Sequence, residues 1–189
     1  ALPICGVPFV VTRVGDGTVR AYVNACRHRG APLVREPSCG DRSFVCPFHG
    51  WVYDTDTGAL IGQPRSCDGF TDVSPLELGL LPLAVAEAHG MVFVRPGGTA
   101  DIDVDALLAG LGPELAGLDY AHLHPFRAGR TTWRCNWKLL IDTFLESYHV
   151  PALHRASLGA AYIGAASPFD AFGRHNRIVV PQAAILEQA

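Results

Sequence analysis

The 189-residue sequence is short of charge, of long apolar runs and of methionine, and each shortage excludes something. Charged residues make up 17% of the chain against 49% hydrophobic ones, which rules out a solvated, disordered polymer. Neither sign of charge dominates: 15 basic and 18 acidic side chains leave a net charge of −3. Such a balance gives neither nucleic acid nor an anionic membrane an electrostatic reason to bind. The longest apolar stretch, Leu78 to Val94, is cut by Pro82, Glu87 and His89, so it does not make a membrane span. The opening ALPICGVPFVV has no basic start, no initiator Met and no small-residue cleavage site, and so is expected not to be a signal peptide. A chain that opens so abruptly on apolar residues is expected to lack its true beginning.

What is present is sulfur and imidazole. Six cysteines, at 5, 26, 39, 46, 67 and 135, accompany eight histidines. Their spacing does not make a disulfide scaffold for a chain of this length. It predicts a cytoplasmic protein that uses some cysteines as metal ligands.

The first hundred residues read as short strands broken by turns. Pro8 to Val14 and Thr18 to Asn24 flank Gly15-Asp16-Gly17, and Val52-Tyr53 and Ala59 to Ile61 flank Asp54-Thr55-Asp56-Thr57-Gly58. Ser43 to Val45 and Met91 to Val94 are further β-rich runs, and Arg95-Pro96-Gly97-Gly98 closes the region as a domain boundary. Beyond it the pattern turns helical. Leu107, Leu108, Leu111 and Leu115 predict a helix within 101–118. Trp137, Leu140, Ile141, Phe144, Leu145 and Tyr148 form one apolar stripe and predict a helix over 136–149, stopped by Pro151. Arg177 to Val180 reads as a strand.

ACRHRGAPLV sets Cys26 and His28 two apart, and CPFHGW sets Cys46 and His49 three apart. Two soft thiolates and two imidazoles suit a tetrahedral zinc site. They equally suit a Rieske [2Fe–2S] cluster, in which two cysteines hold one iron and two histidines the other. Four unrelated structural residues is the bland reading. The loops carry more than ligands, however. Gly30 and Gly50 follow the histidines and let the backbone turn tightly. Pro47, Phe48 and Trp51 offer rigid apolar cover, which would tune a cluster's potential.

CRHRG…CPFHGWVYD…TG resembles the Rieske domain of ring-hydroxylating oxygenase α subunits. The resemblance implies that Cys26, His28, Cys46 and His49 are cluster ligands. Cys39, before Gly40-Asp41, marks a departure, an inter-loop segment one residue longer than usual. Respiratory Rieske proteins carry an extra, disulfide-forming cysteine in each loop. Ala31 and Phe48 stand at those places here. Fewer hydrogen bonds and no disulfide imply a potential near the low end of the Rieske range, ~−150 mV.

Asp142, Glu146 and His149 fall at i, i+4 and i+7 of the expected helix, on one polar face, and His154 lies just beyond its end. The plain reading of such a face is solvation. Two imidazoles on a helix end and the turn after it can also converge on one metal. NWKLLIDTFLESYHVPALH, residues 136–154, resembles the iron-binding segment of the same family. The resemblance implies that His149 and His154 ligate a mononuclear Fe(II). It makes Glu146 the carboxylate that links His149 to a cluster histidine, His49, of a neighbouring subunit. Many relatives have Asp there, so Glu146 is a departure. Asp142-Thr143 stands where relatives often have Glu-Asn. A facial triad needs a third, carboxylate ligand, which in the family comes from far downstream. Asp170 is the nearest acid here and is expected to be structural. The chain is thus expected to be truncated at both ends and, as this stretch alone, inactive.

The resemblance implies an α+β fold: an all-β Rieske [2Fe–2S] domain over 1–97, its opening strands missing, then over 98–189 the first part of a helix-plus-antiparallel-sheet catalytic domain. It implies a terminal oxygenase of aromatic hydrocarbon catabolism. Its partners are a reductase or ferredoxin donor, O2 and a small organic substrate, an aromatic one first, with aromatic hydroxylation, demethylation and quaternary-amine cleavage all left open, in a homotrimer or other ring, with neither nucleic acid nor membrane involved. A Rieske ferredoxin that only carries electrons is the alternative, and a zinc-stabilised binding module the third. His89, His122, His124 and His175 are expected to be structural, and Cys5, Cys67 and Cys135 buried small hydrophobes. Arg27 and Arg29, flanking His28, are expected either to be solvated or to dock an acidic partner.

Overall fold

The turn residues of the first hundred positions become hairpins. In the computed structural model, which describes residues 2–4, 6–70 and 72–187, strands β1 (Leu2–Ile4), β2 (Val7–Arg13) and β3 (Val19–Val23) form one antiparallel sheet in the order β1-β2-β3. The turn between β2 and β3 is locked by Asp16, whose Oδ1 accepts from the N–H and hydroxyl of Thr18 at 2.8 and 2.7 Å. A second sheet joins β4 (Ser43–Val45), β5 (Val52–Asp54) and β6 (Leu60–Gly62). At its second turn Asp54 Oδ1 takes three donors, the N–H groups of Asp56 and Thr57 and the Thr57 hydroxyl. Those donors, Thr57 first, hold the Asp54 carboxyl below its ordinary value. A third hairpin pairs β7 (Ala84–Ala88) with β8 (Met91–Arg95). His89 and Gly90 between them are both left-handed, at φ 53° and 71°, the conformation a two-residue turn of matching twist needs.

The chain divides into two compact units, Ala1–Val104 and Asp105–Ala189. The core of the first gathers Val10, Tyr22, Leu33, Phe44, Trp51, Tyr53 and Leu80, together with Cys26 and Cys46. Trp51, the residue just before β5, and Tyr53 within it are two residues apart, and both are buried. Cys67 and Cys135, expected to be buried, are exposed: one lies on a short 3₁₀ turn, the other in the irregular stretch before a helix, and neither segment has a core face. Cys5 lies outside the described residues.

In the second unit the expected helix over 101–118 is two short ones, α1 (Val104–Leu108) and α2 (Gly112–Gly117). Ala109 and Gly110 between them take φ values of 50° and 95°, which no helix continues through. A hairpin of β9 (Phe169–Phe172) and β10 (His175–Ile178) pairs Asp170 with Arg177. The Arg177 guanidinium grips Asp170 Oδ2 at 2.7 and 3.0 Å. Strand β10 begins two residues before the expected 177–180, because the Gly173 turn sets its register. No helix among the described residues is long and apolar enough to cross a membrane.

Candidate functional site

The two Cys/His loops of the first unit are built alike. In the first, Cys26 N–H donates to Ala31 O at 2.8 Å and Gly30 N–H returns to Cys26 O at 2.8 Å. In the second, Cys46 N–H donates to Trp51 O at 2.7 Å and Gly50 N–H to Cys46 O at 3.0 Å. Each loop closes on the fifth residue after its cysteine. Each has a left-handed glycine at the fourth, φ 75° at Gly30 and 69° at Gly50, where a side chain would be strained. The loops present their ligand atoms in pairs. Both sulfurs are buried in the core, and the two imidazoles face each other at the rim with Nδ1 atoms 3.1 Å apart. Among the described residues no three His, Cys, Asp or Glu side chains gather at one metal position. Two sulfurs together and two nitrogens together are the donor set of a Rieske cluster, one pair per iron, and the residues fit it.

The electrostatics favour the ligand forms. Burial pushes the Cys46 thiol up. The backbone N–H groups of Phe48 and His49 and the Cys26 side chain outweigh that and leave it below its ordinary value, toward thiolate. Partial burial, then His49 and Arg29, hold His28 below the usual imidazole value, so its ring stays neutral and able to ligate. Trp51 stacks under the His28 ring at 5.0 Å and 11°, while Phe70 meets both rings edge-on. Phe48 covers less than expected: its ring touches His49 at 4.3 Å yet is 64% exposed. Arg27 and Arg29 are exposed.

Sequence reasoning missed three residues here. Phe70 comes from outside both loops, and no spacing rule reaches it. Tyr53 is buried, with Oη 3.3 Å from Cys26 Sγ and accepting from Arg27 N–H at 3.0 Å. Burial, then the Cys26 contact, raises its phenol, so it remains a protonated donor toward the sulfur. Its signal was the alternation Trp51-x-Tyr53. Asn24 is the third.

In the second unit, Asn136 caps α3 (Trp137–Phe144), its Oδ1 accepting from Lys138 N–H at 3.0 Å. The helix ends at Phe144, five residues short of His149. A new one, α4 (Val150–Leu153), starts with Pro151 in its first turn, where the missing N–H has no partner to lose. Pro151 therefore begins a helix. His149 and His154 are the residues just before and just after α4, their rings 5.3 Å apart. Glu146 and His149 thus meet across a turn and not along a helix face. Glu146 Oε1 is bonded to His149 Nδ1, and Oε2 accepts the His149 backbone N–H at 3.2 Å. The first of these contacts chiefly holds the Glu146 carboxyl below its ordinary value. Buried Ser147 anchors the segment, its hydroxyl 2.7 Å from Gly164 O and 2.6 Å from Ser167 Oγ. A Cβ on Gly164 would come within 2.7 Å of Ser147 O, so only glycine fits.

Asp142 stays on α3, exposed and out of line with Glu146 and His149, and the Thr143 hydroxyl donates to Leu139 O at 2.8 Å. Asp170 is held by Arg177. The apolar stripe is uncovered among the described residues: Trp137 is 68% exposed, Phe144 71% and Tyr148 92%. Periodicity names the apolar face of a helix, not what lies against it. His175 Nε2–H donates to Leu107 O at 2.7 Å and His122 pairs with Asp119 at 2.7 Å, as structural histidines do.

Two family models match in this order: the Rieske [2Fe-2S] domain over residues 1–73 and the ring hydroxylating alpha subunit catalytic domain over 118–188. The chain belongs to the Rieske ring-hydroxylating oxygenase α subunits. The first model brings with it the [2Fe–2S] cofactor and the second the family's mononuclear iron. This α-subunit chain is 32% identical over 179 residues to the chloroplastic choline monooxygenase of Beta vulgaris, covering 88% of itself and 36% of that protein. It is 33% identical over 153 residues to the anthranilate 1,2-dioxygenase large subunit of Burkholderia cepacia, covering 78% and 36%. Among solved structures, the quaternary ammonium Rieske monooxygenase CntA superposes with a TM-score of 0.86 over 97% of this chain and 51% of that one. At 23% identity this is a likeness of fold, and the α+β arrangement is the same. The chain thus spans about a third of the length of these curated relatives. An aromatic substrate fits only some of the family, and a chloroplastic relative means that cytoplasmic residence is not a family trait.

Proposed function

We propose that this chain carries the metal centres of a terminal oxygenase acting on a small organic molecule. Cys26, His28, Cys46 and His49 hold the cluster, and His149 and His154 hold the mononuclear iron. Bound there, the two groups supply one-electron transfer and O2 activation. The observation that carries the reading is the pairing of two core-buried sulfurs with two rim imidazoles 3.1 Å apart, on loops of like construction. The protein's own contribution is order. Trp51 and Phe70 fix the His28 ring, and Tyr53 donates toward Cys26. Glu146 accepts from His149 Nδ1–H and so leaves Nε2 as the ligand nitrogen. Electrons come from a reductase or ferredoxin, and the working form is a ring oligomer in which Glu146 of one subunit also approaches a cluster histidine of the next.

Purified under anaerobic conditions, the protein is expected to be coloured, with the visible and electron paramagnetic resonance (EPR) signatures of a Rieske cluster and about three irons per chain, two in the cluster and one mononuclear. Two irons per chain would make it an electron carrier. A colourless protein with bound zinc would overturn the reading. Supplied with NADH and a reductase, the protein as its cell produces it gives the substrate class: O2 uptake coupled to choline or carnitine would place it with the quaternary ammonium oxygenases, and uptake coupled to anthranilate with the aromatic ones.

Tyr53→Phe is expected to leave the cluster in place and lower its midpoint potential. The hydrogen bond toward Cys26 Sγ stabilises negative charge on sulfur, and so the reduced form. A bond of ~1 kcal/mol corresponds to roughly 40 mV for one electron. Protein-film voltammetry measures the shift. An unchanged potential would mean that Tyr53 only fills the core.

A further inference from the structure

The two like-built loops differ in how they are closed. The second lies inside a hairpin: β4 enters it, β5 leaves it, and their ladder pairs Val45 with Val52 directly beneath the ligands. The first has a strand on its entrance only. Strand β3 ends at Val23, and residues 30–42 after the loop contain no strand. Asn24 stands at this gap. Its own N–H donates to Pro8 O at 2.9 Å, which ties it to β2. Its side chain is buried, and every polar atom of it is spent across the loop. Oδ1 accepts from Leu33 N–H and Val34 N–H, both at 3.0 Å, and Nδ2 donates to Val34 O at 2.7 Å.

We propose that Asn24 is a positioning residue for the cluster site, its carboxamide standing in for the strand that the first loop lacks. The proposal rests on the cluster reading above. An amide is the group for this task because it offers an acceptor and a donor side by side, the pair of functions a partner strand presents. Without it, the exit of the segment bearing Cys26 and His28 keeps its apolar contacts through Leu33 but loses three buried hydrogen bonds. Cys26 and His28 then hold their cluster less firmly, while Cys46 and His49 remain framed by β4 and β5.

The test compares Asn24→Ala and Asn24→Asp with the parent as holoproteins. It reads the rate of cluster bleaching by an iron chelator and the g-values of the dithionite-reduced cluster. Asn24→Ala is expected to bleach about 10–100-fold faster, the effect of leaving buried backbone groups at Leu33 and Val34 unpaired, with shifted g-values. Asn24→Asp keeps acceptors for Leu33 and Val34 N–H but loses the donor to Val34 O, and falls between. If Asn24→Ala lowers the melting temperature yet keeps parental bleaching and g-values, Asn24 serves the fold alone and the proposal is overturned. If Asn24→Ala does not fold, Asn24→Asp decides: faster bleaching supports the proposal and parental bleaching defeats it. A parent protein with no Rieske spectrum defeats the cluster reading itself, an outcome distinct from all of these.

Discussion

Replacing Cys46 by serine is expected to abolish the visible spectrum and remove two irons per chain. The Cys46 sulfur is buried in the main core, with the Phe48 and His49 N–H groups held so as to favour its thiolate. A serine hydroxyl is a harder and far weaker acid, and those donors do not make it a ligand at neutral pH. The change in size is small, so the core around Trp51 and Tyr53 should survive, and far-ultraviolet circular dichroism should stay parental. Cys26→Ser should behave the same way. Cys39→Ser and Cys67→Ser, at exposed cysteines, should alter nothing. Full colour in both core variants would remove the sulfurs from the ligand set and with them the cluster assignment.

Glu146→Gln is expected to weaken Fe(II) binding about 10–100-fold and to reduce turnover accordingly, while the cluster spectrum is untouched. The carboxylate accepts twice from one residue, from the His149 ring and from the His149 backbone N–H. An amide has one oxygen and one nitrogen, so one of those N–H groups must face a donor. Either the ring turns away or the backbone of the turn loosens, and both spoil the aim of Nε2. The measurement is an Fe(II) titration followed by metal analysis, on the protein as its cell produces it, with the substrate-coupled rate recorded in parallel. Parental affinity together with a parental rate would make Glu146 an ordinary surface acid.

Much of the first unit is legible in the sequence because its turns are chemically explicit. Asp16 and Asp54 bind donors two and three residues on, and Gly30 and Gly50 announce left-handed backbone, so hairpins and ligand loops follow from local rules. The second unit is harder to read. The apolar stripe of 136–149 continues past Phe144 although the helix does not, because period alone carries no stop signal. Pro151, taken as that signal, is equally at home in a helix's first turn. Glu146 and His149 still meet, since three residues across a turn span much the same distance as three along a helix. Tyr53, Phe70 and Asn24 are a different case. Tyr53 and Phe70 act on a loop from elsewhere in the chain and Asn24 reaches across its own loop to Leu33 and Val34, and that kind of neighbour is fixed only when the chain has folded.

The burial of both sulfurs among Val10, Tyr22, Phe44 and Trp51 has a bearing on the protein's lifetime in the cell. Residues 26 and 46 come together only in the folded chain, so a group that needs both is held better by the native state than by the unfolded one. By mass action every tenfold of grip adds about 1.4 kcal/mol to the resistance against unfolding. A copy that has not received its metal lacks that brace and opens more often. Where proteases and chaperones sample the open form, a small deficit of this kind changes abundance several-fold. Iron supply would then set how much of this protein persists as well as how much of it works.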